Sequence, residues 1–109
     1  MRLEKYDSEL LKQQVKDIAG KYLALSAYAI FFFGSRVSGA GDARSDIDIG
    51  IEGAEQVPLT AMRSIREDIE LLPILYKVDV VDFSQTSETF RDVSKQHIEY
   101  INKPAVSNV

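Results

Sequence analysis

The chain has 109 residues, a net charge of −4 and no cysteine. Its length is near the usual size of one domain, so we expect a single domain over residues 1–109. The missing cysteines exclude disulfides and thiolate metal sites, and the one histidine, His97, excludes a multi-histidine zinc site. Any bound metal must therefore be held by oxygen ligands, which favours magnesium, manganese or calcium.

The acidic charge balance also bears on partners and location. No cluster of lysines and arginines occurs, whereas a protein that follows a nucleic-acid backbone usually has a basic face. A nucleotide chelated to metal fits this charge better than a polymer, so we expect no direct binding to a nucleic-acid polymer. The charged N-terminus lacks the apolar core of a signal peptide, and the apolar stretches are too short to span a bilayer. We therefore expect a cytoplasmic protein with no membrane partner.

The first half of the chain predicts one helix and two strands. Apolar residues recur every three or four positions over residues 8–25, which predicts an amphipathic helix. Residues 28–33 are apolar and rich in aromatic side chains, which predicts a buried strand. Residues 46–52 alternate between isoleucines and a polar side that carries Asp46 and Asp48. This alternation predicts a second strand with one face in the core.

The second half predicts two helices around a third strand. Pro58 is suited to the first turn of a helix that ends at Pro73, and residues 74–83 follow as a strand. A last helix is expected over about residues 86–102, with a frayed tail over residues 103–109. Its predicted inward positions are Phe90, Val93, His97 or Ile98, and Ile101. The order of elements predicts a small α/β (α+β) fold, in which helices pack on one face of a mixed β-sheet.

The Asp-x-Asp pair in the second predicted strand is the first candidate for chemistry. Asp46 and Asp48 point to the same side, about 6–7 Å apart along the backbone. Their carboxylates can converge on one cation, or on two cations about 3.5–4 Å apart. At about 5 Å and an effective dielectric near 20 the two charges repel by roughly 3 kcal/mol, so keeping both favours a bound cation. Taken alone, the pair is equally compatible with a solvated polar face on an edge strand.

The turn after the first predicted strand, Gly34-Ser35, is the second candidate. Glycine permits positive φ and a close approach of the backbone to a ligand, and Ser35 offers a hydroxyl and an N–H to phosphate oxygens. If a short helix begins near Ser35, its amides point at the same anion. The segment lacks the Gly-Lys-Ser/Thr ending of a Walker-type P-loop. The run from Asp46 to Gly50 does not meet the EF-hand pattern either.

A third carboxylate is expected from the last predicted strand, because two-metal phosphoryl chemistry commonly uses three. The candidates are Asp79 and Asp82. Asp79 alternates with Val78 and Val80, which indicates a carboxylate at the edge of a buried sheet. Asp82 lies nearer the strand end, where it can cap the following loop or helix. Position alone therefore favours Asp79.

These residues together resemble a known family. Gly34-Ser35, then ten residues, then Asp46-Ile47-Asp48, and Asp79 in a later strand are similar to the polymerase-β-like nucleotidyltransferase superfamily. Within it, the chain resembles the minimal nucleotidyltransferases, or MNT domains. The likeness extends from about Tyr28 to the final helix, with a core motif over residues 28–83.

The resemblance implies a role for each matching position. It implies that Asp46, Asp48 and Asp79 are catalytic carboxylates that ligate magnesium, with two ions expected, and that Gly34, Ser35 and Arg36 bind the triphosphate of ATP. For Arg36, contact with phosphate and bracing of the turn stay open as alternatives. The position of Ser38 is often basic in relatives, so a weaker grip on the nucleotide or a shifted charge such as Arg44 is also open.

The resemblance further implies an activity and a partner. A hydroxyl would attack the α-phosphorus of ATP, and pyrophosphate would leave. Minimal members are often paired with a separately encoded helical HEPN protein in a toxin–antitoxin arrangement, and they add AMP to a tyrosine of that ribonuclease. Two alternatives stay open: a small-molecule acceptor held by a partner helical subunit, and a catalytically weak module that neutralises its partner by contact. The last helix and Tyr100 are candidates for an interface, and His97 is expected to pack or to lie at the surface.

Overall fold

A four-stranded mixed sheet forms the centre of the molecule. The structure is a computed structural model that describes residues 1, 3–41 and 44–105, so the expected tail beyond residue 105 lies outside the described residues. The strands are β1 (Ala29–Phe33), β2 (Ile47–Glu52), β3 (Val78–Asp82) and β4 (Glu99–Asn102), in the order β3-β2-β1-β4. β1 pairs antiparallel with β2 and β4, whereas β2 and β3 are parallel. The predicted mixed sheet is confirmed.

The part of the chain that the structure describes contains four α-helices beside the sheet: α1 (Ser8–Gly20), α2 (Ser35–Ser38), α3 (Leu59–Glu70) and α4 (Glu88–Ser94). The side chain of Asp7 begins α1 by accepting hydrogen bonds from the N–H groups of Glu9 and Leu10. α1 is shorter than the expected helix over residues 8–25, because the chain leaves it at Gly20 and forms a separate single turn of 3-10 helix at Leu25–Ala27. Among the described residues, no helix combines the length and apolarity needed to cross a membrane.

The main core lies between one face of the sheet and the two long helices. The isoleucines of β2 share this face with Ile30 and Phe32 of β1, as the alternation in the sequence predicts. α1 contributes Leu11, Val15 and Ile18, and α3 contributes Met62, Ile65 and Ile69. Because Ile47, Ile49 and Ile51 are almost fully buried here, Asp48 must lie on the other side of β2, and Asp46 directly precedes the strand.

The opposite face of the sheet carries a smaller aromatic layer. The rings of Phe31 and Phe33 each contact the ring of Phe83 edge-on, at 4.9 Å between centroids. Gly50 makes room for this contact, because a Cβ there would lie 2.5 Å from the Phe31 ring and 2.7 Å from that of Phe83. Phe90 of α4 packs at the outer side of this layer and remains 41% exposed.

The prediction of a last helix over about residues 86–102 is wrong. α4 ends at Ser94, and residues 99–102 form β4 against β1. Pairing with β1 buries Ile101, and the Asn102 amide donates to the carbonyls of Leu25 and Tyr28 at 2.8 and 2.9 Å. These hydrogen bonds to the backbone compensate the burial of the polar Asn102 side chain.

Two smaller predictions in this region also change. Phe90 and Val93, expected to face inward, are exposed to 41% and 62% on the short α4. His97 lies exposed in the turn before β4, at the surface as the sequence suggested. The third strand begins at Val78, not at residue 74, because the chain after Pro73 runs through bends before it pairs with β2.

Candidate active site

The turn after β1 has the geometry that its glycine suggested. Gly34 has φ 82°, a conformation that disfavours residues with a Cβ. The short helix α2 then begins at Ser35, and the N–H groups of Val37 and Ser38 donate to the Gly34 carbonyl at 3.1 Å. The Ser35 carbonyl accepts from the N–H of Gly41 at 3.0 Å, which folds the connection back on itself. The turn is therefore a compact unit fixed to the end of a buried strand.

Gly34 lies directly against the carboxylate of Asp48. The register pairs Phe33 with Asp48, so the glycine follows immediately beside that residue. A Cβ on Gly34 would lie only 2.2 Å from the Asp48 Oδ2 atom. Glycine is therefore required twice at this position, once for its backbone conformation and once to admit the carboxylate. The predicted phosphate turn and the predicted metal strand are in contact.

Asp79 stands beside Asp48 on the neighbouring strand. The parallel register of β2 and β3 pairs these two residues, and neighbouring strands are about 4.8 Å apart. Asp46 lies one residue before β2, and its Oδ2 is 3.9 Å from the Lys77 Nζ. The structure thus brings Asp48 and Asp79 together on one face, as expected, and it places Asp46 at the margin beside a lysine.

The electrostatics of this group centre on Asp48. Burial raises the pKa of Asp48 to about 6, and the negative charges of Asp79 and Asp46 add to the shift. Desolvation and like charge both disfavour the ionised form of a carboxyl. Ionisation of Asp48 is therefore unfavourable in the protein alone, and a bound cation would favour it.

The donor set fits a hard divalent cation by its chemistry, since all three candidates offer carboxylate oxygens. Their side chains are not gathered around one point, however. Across residues 3–41 and 44–105, no three potential ligand side chains lie close enough together to hold one metal ion. Asp48 and Asp79 are the pair already in place, whereas Asp46 would have to leave its contact with Lys77 to join them.

Arg36, for which phosphate contact and bracing were both open, makes bracing contacts. Its Nε donates to the Ser45 carbonyl at 2.7 Å, and its guanidinium lies 4.5 Å from the centre of the Tyr76 ring. The Nη1 atom is 3.6 Å from the Glu4 carboxylate, and the side chain is only 3% exposed. Arg36 therefore ties the two ends of the loop between α2 and β2 to the rest of the fold.

Asp82 takes the capping role that its position allowed. Its carboxylate accepts hydrogen bonds from the N–H of Val57 at 2.8 Å and from the N–H and hydroxyl of Ser84 at 2.9 and 2.7 Å. These contacts join the end of β3 to the loop before α3. Asp79, which faces Asp48, is thereby distinguished from Asp82 by geometry as well as by position.

A cavity of about 810 Å³ opens beside the two paired carboxylates. Asp48 and Asp79 line it together with Phe33 and Phe90, and it continues along β3 to α3. Phe90 is a site residue that the sequence did not indicate, because its expected helix placed it in the core. No pattern in the sequence separates Phe90 from a core aromatic residue, since its exposure is seen only in the structure. Arg44 lines a different hollow, with Asp46 and Lys77.

Comparison with protein families gives a match over most of the chain. The family model described as polymerase beta, nucleotidyltransferase matches residues 13–102. Over 69 residues the chain is 32% identical to a Haemophilus influenzae protein named probable protein adenylyltransferase MntA. That match covers 63% of this chain and 60% of the relative, so the chain spans less than two thirds of the relative's length.

Solved structures share the fold at lower identity. One described as a toxin-antitoxin with AMP-PNP has a TM-score of 0.65 at 19% identity, over 83% of this chain and 71% of that one. Another is of a tri-AMPylated Shewanella oneidensis HEPN toxin in complex with MNT antitoxin. It has a TM-score of 0.63 at 17% identity, over 85% of this chain and 70% of that one. At these identities the likeness establishes the fold.

Proposed function

Since the chain belongs to the polymerase beta nucleotidyltransferase family, we propose that it is a magnesium-dependent protein adenylyltransferase. In this proposal it transfers AMP from ATP to a tyrosine hydroxyl of a separately encoded HEPN-type protein, which it thereby neutralises as an antitoxin. The reaction consumes ATP, which is consistent with a cytoplasmic protein.

The contact between the Gly34 turn and Asp48, with Asp79 next to it, is the observation that carries the proposal. A nucleotidyl transfer needs the triphosphate, the attacking hydroxyl and the neutralising charges held in one place. The distance of 2.2 Å from a hypothetical Gly34 Cβ to Asp48 Oδ2 means that a phosphate bound at the turn would lie beside this carboxylate. The turn and the carboxylates therefore form one site.

Asp48 and Asp79, joined by Asp46, are the residues that would hold the magnesium ions. When bound, the metal neutralises the phosphates and the acceptor oxygen's developing charge. The raised pKa of Asp48 supports this assignment, because the burial and like charges that cause it also favour a cation. A shift of the Asp46 side chain away from Lys77 would complete the set.

The other residues position the reactants. The Ser35 hydroxyl and N–H contact the triphosphate, which the missing Cβ of Gly34 allows to approach the backbone closely. Arg36 holds the turn in place through its hydrogen bond to the Ser45 carbonyl. The acceptor oxygen forms a bond to the α-phosphorus as the bond to the β-phosphate oxygen breaks, and pyrophosphate leaves. The acceptor's proton passes to the Asp79 carboxylate.

The relatives support the choice of acceptor. The Haemophilus influenzae protein is named a probable protein adenylyltransferase, and the Shewanella oneidensis complex contains an AMPylated HEPN toxin with its MNT antitoxin.

The proposal is tested by isolating the chain with its natural partner and measuring the mass of both proteins by mass spectrometry after incubation with ATP and magnesium. We expect the partner to gain the mass of one AMP residue per modified hydroxyl, and we expect Asp48→Asn and Asp79→Asn to abolish the gain. Asp17→Asn, a change on the distant helix α1, is the matched control and should leave it intact. A complex without any mass gain would favour a module that acts by contact, and AMP on an added small molecule alone would favour a small-molecule transferase.

A further inference from the structure

β3 is one of the two edge strands of the sheet, and it is the edge on which Asp79 lies. The N–H of Ile47 donates to the Lys77 carbonyl at 2.9 Å, so Lys77 directs its backbone oxygen toward β2. Successive residues of a strand direct their backbone groups to opposite sides. The N–H and C=O groups of Asp79 therefore also point toward β2, whereas those of Val78 and Val80 point away from the sheet. An edge of this kind can accept a further strand.

Only part of this edge is already covered. The Nη2 of Arg66, from α3, donates to the outward carbonyl of Val80 at 2.8 Å. For the outward groups of Val78, the described part of the chain provides no side-chain partner. The open stretch is therefore short and centred on Val78, directly before Asp79. Arg66 marks its end.

The cavity beside the carboxylates runs along the same edge. On the face of the sheet that carries the Asp79 side chain, the cavity is lined by Phe33 and Phe90. On the opposite face, which packs against α3, it is lined by Ile69 and Ile74. A chain that paired with Val78 would thus lie between two groups of apolar side chains, in a space that Arg66, Glu70 and Lys77 also line. Its side chains would point alternately to the carboxylates and to α3.

The order of groups across the sheet gives a direction of approach. The Gly34 turn follows β1, Asp48 is on β2, and Asp79 is on β3 at the edge. In a nucleotidyl transfer the attacking and leaving oxygens are roughly in line across the phosphorus. If the triphosphate lies at the turn, the acceptor hydroxyl must come from the β3 side.

We propose that the acceptor segment of the protein partner binds as an extended strand antiparallel to β3 and pairs with Val78. This inference rests on the proposed function and specifies how that site receives its substrate. Cross-strand neighbours have Cβ atoms about 4.5–5.5 Å apart, so the partner residue opposite Asp79 presents its side chain to that carboxylate. This residue is the acceptor tyrosine, and its ring lies against Phe90 and Phe33.

The same pairing defines a sequence preference in the partner. In an antiparallel pair, the residue opposite Val78 directly follows the residue opposite Asp79. Its side chain points to the α3 face, where it meets Ile69 and Ile74. The acceptor tyrosine is therefore followed immediately by an apolar residue. Strand addition to a sheet edge commonly takes its affinity from the backbone and its specificity from such alternate side chains.

The test removes the outward N–H of Val78 while keeping the strand. Proline is tolerated at the first residue of a strand, which Val78 is, and Val78→Pro deletes this donor. Val78→Ala is the matched control, because it shortens the side chain but keeps the N–H. With the separately encoded HEPN-type protein as acceptor, we expect Val78→Pro to raise the KM for that protein about tenfold over Val78→Ala. The KM for ATP should be the same in both.

Amide exchange in the unaltered chain provides a measurement that needs no variant. On addition of the partner with a non-hydrolysable ATP analogue, the Val78 N–H should exchange about tenfold more slowly, as measured by NMR. If AMP transfer occurs but this exchange is unchanged and both variants share one KM for the partner, the docking mode is wrong. Protection that grows with the concentration of this chain alone would assign the edge to a second copy and overturn the proposal. If the unaltered chain transfers no AMP to the partner, the proposed function fails first, and this inference with it.

Discussion

Replacing Asp48 by asparagine should stabilise the metal-free protein while it abolishes activity. Burial and the charges of Asp79 and Asp46 raise the pKa of Asp48 from 3.8 to about 6. The folded state therefore binds the proton more tightly than the unfolded state. By linkage, the unfolding free energy falls as the pH rises through this window and is lowest above it. Asparagine removes the charge and hence this penalty.

The size of the effect follows from the shift. A change of roughly two pKa units corresponds to about 3 kcal/mol, and partial solvent exposure of the carboxylate reduces this to about 1–2 kcal/mol. For a domain of this length, such a gain raises the melting temperature by about 4–8 °C. The gain should shrink as the pH is lowered from about 7 to about 4, because the parent then becomes protonated at Asp48 in the folded state.

The assay is thermal unfolding in the presence of a chelator at several pH values, with AMP transfer measured in parallel. Asp17→Asn, on an exposed part of α1, is the control and should not change the melting temperature. A variant Asp48→Asn that melts lower than the parent at neutral pH would refute the electrostatic account of the site. Retention of full activity would refute its assignment as a metal ligand.

Three further changes test other contacts of the site. Gly34→Ala should lower the free energy of unfolding, measured with urea, by about 1–3 kcal/mol, because of the positive φ and the clash with Asp48. It should also abolish AMP transfer. A fully active variant would show that the turn takes no part in the reaction. Arg36→Lys should remove the hydrogen bond to the Ser45 carbonyl and lower the free energy of unfolding by about 1–2 kcal/mol, and it should also slow AMP transfer because the turn is held less firmly. Unchanged stability together with a raised KM for ATP would favour phosphate contact. Asp82→Ala should lower the free energy of unfolding in the same assay by about 1–3 kcal/mol, because three hydrogen bonds are lost, but it should leave the KM for ATP unchanged. Loss of ATP binding in a folded variant would assign Asp82 to the site.

The parts of the site that the sequence predicted well depend on local spacing. The alternation in β2 fixes which residues are buried and which face the site, because side chains in a strand alternate between its two faces. The conformation of Gly34 likewise follows from its position at the end of a buried strand. Such features are encoded within a few residues of the chain, so the fifteen residues from Gly34 to Asp48 are enough to locate them.

The parts that were missed depend on contacts between distant segments. β4 has four residues, too few for a pattern to distinguish a strand from the end of a helix, and its pairing with β1 joins segments about seventy residues apart. For Arg36 the sequence named bracing of the turn as one alternative but could not choose it, because Tyr76 and Glu4 lie far from Arg36 along the chain. Likewise, the open edge of β3 is a property of strand order, which no single segment encodes.

The most direct test of the central claim follows the phosphorus atoms of ATP. The chain is incubated with its HEPN-type partner, magnesium and ATP labelled at either the α- or the γ-phosphate, and the proteins are separated under denaturing conditions. The proposed reaction predicts that the α-label becomes attached to the partner and that the γ-label leaves in pyrophosphate. Attachment of the γ-label, or of neither label while the parent chain is folded and bound to its partner, would contradict it.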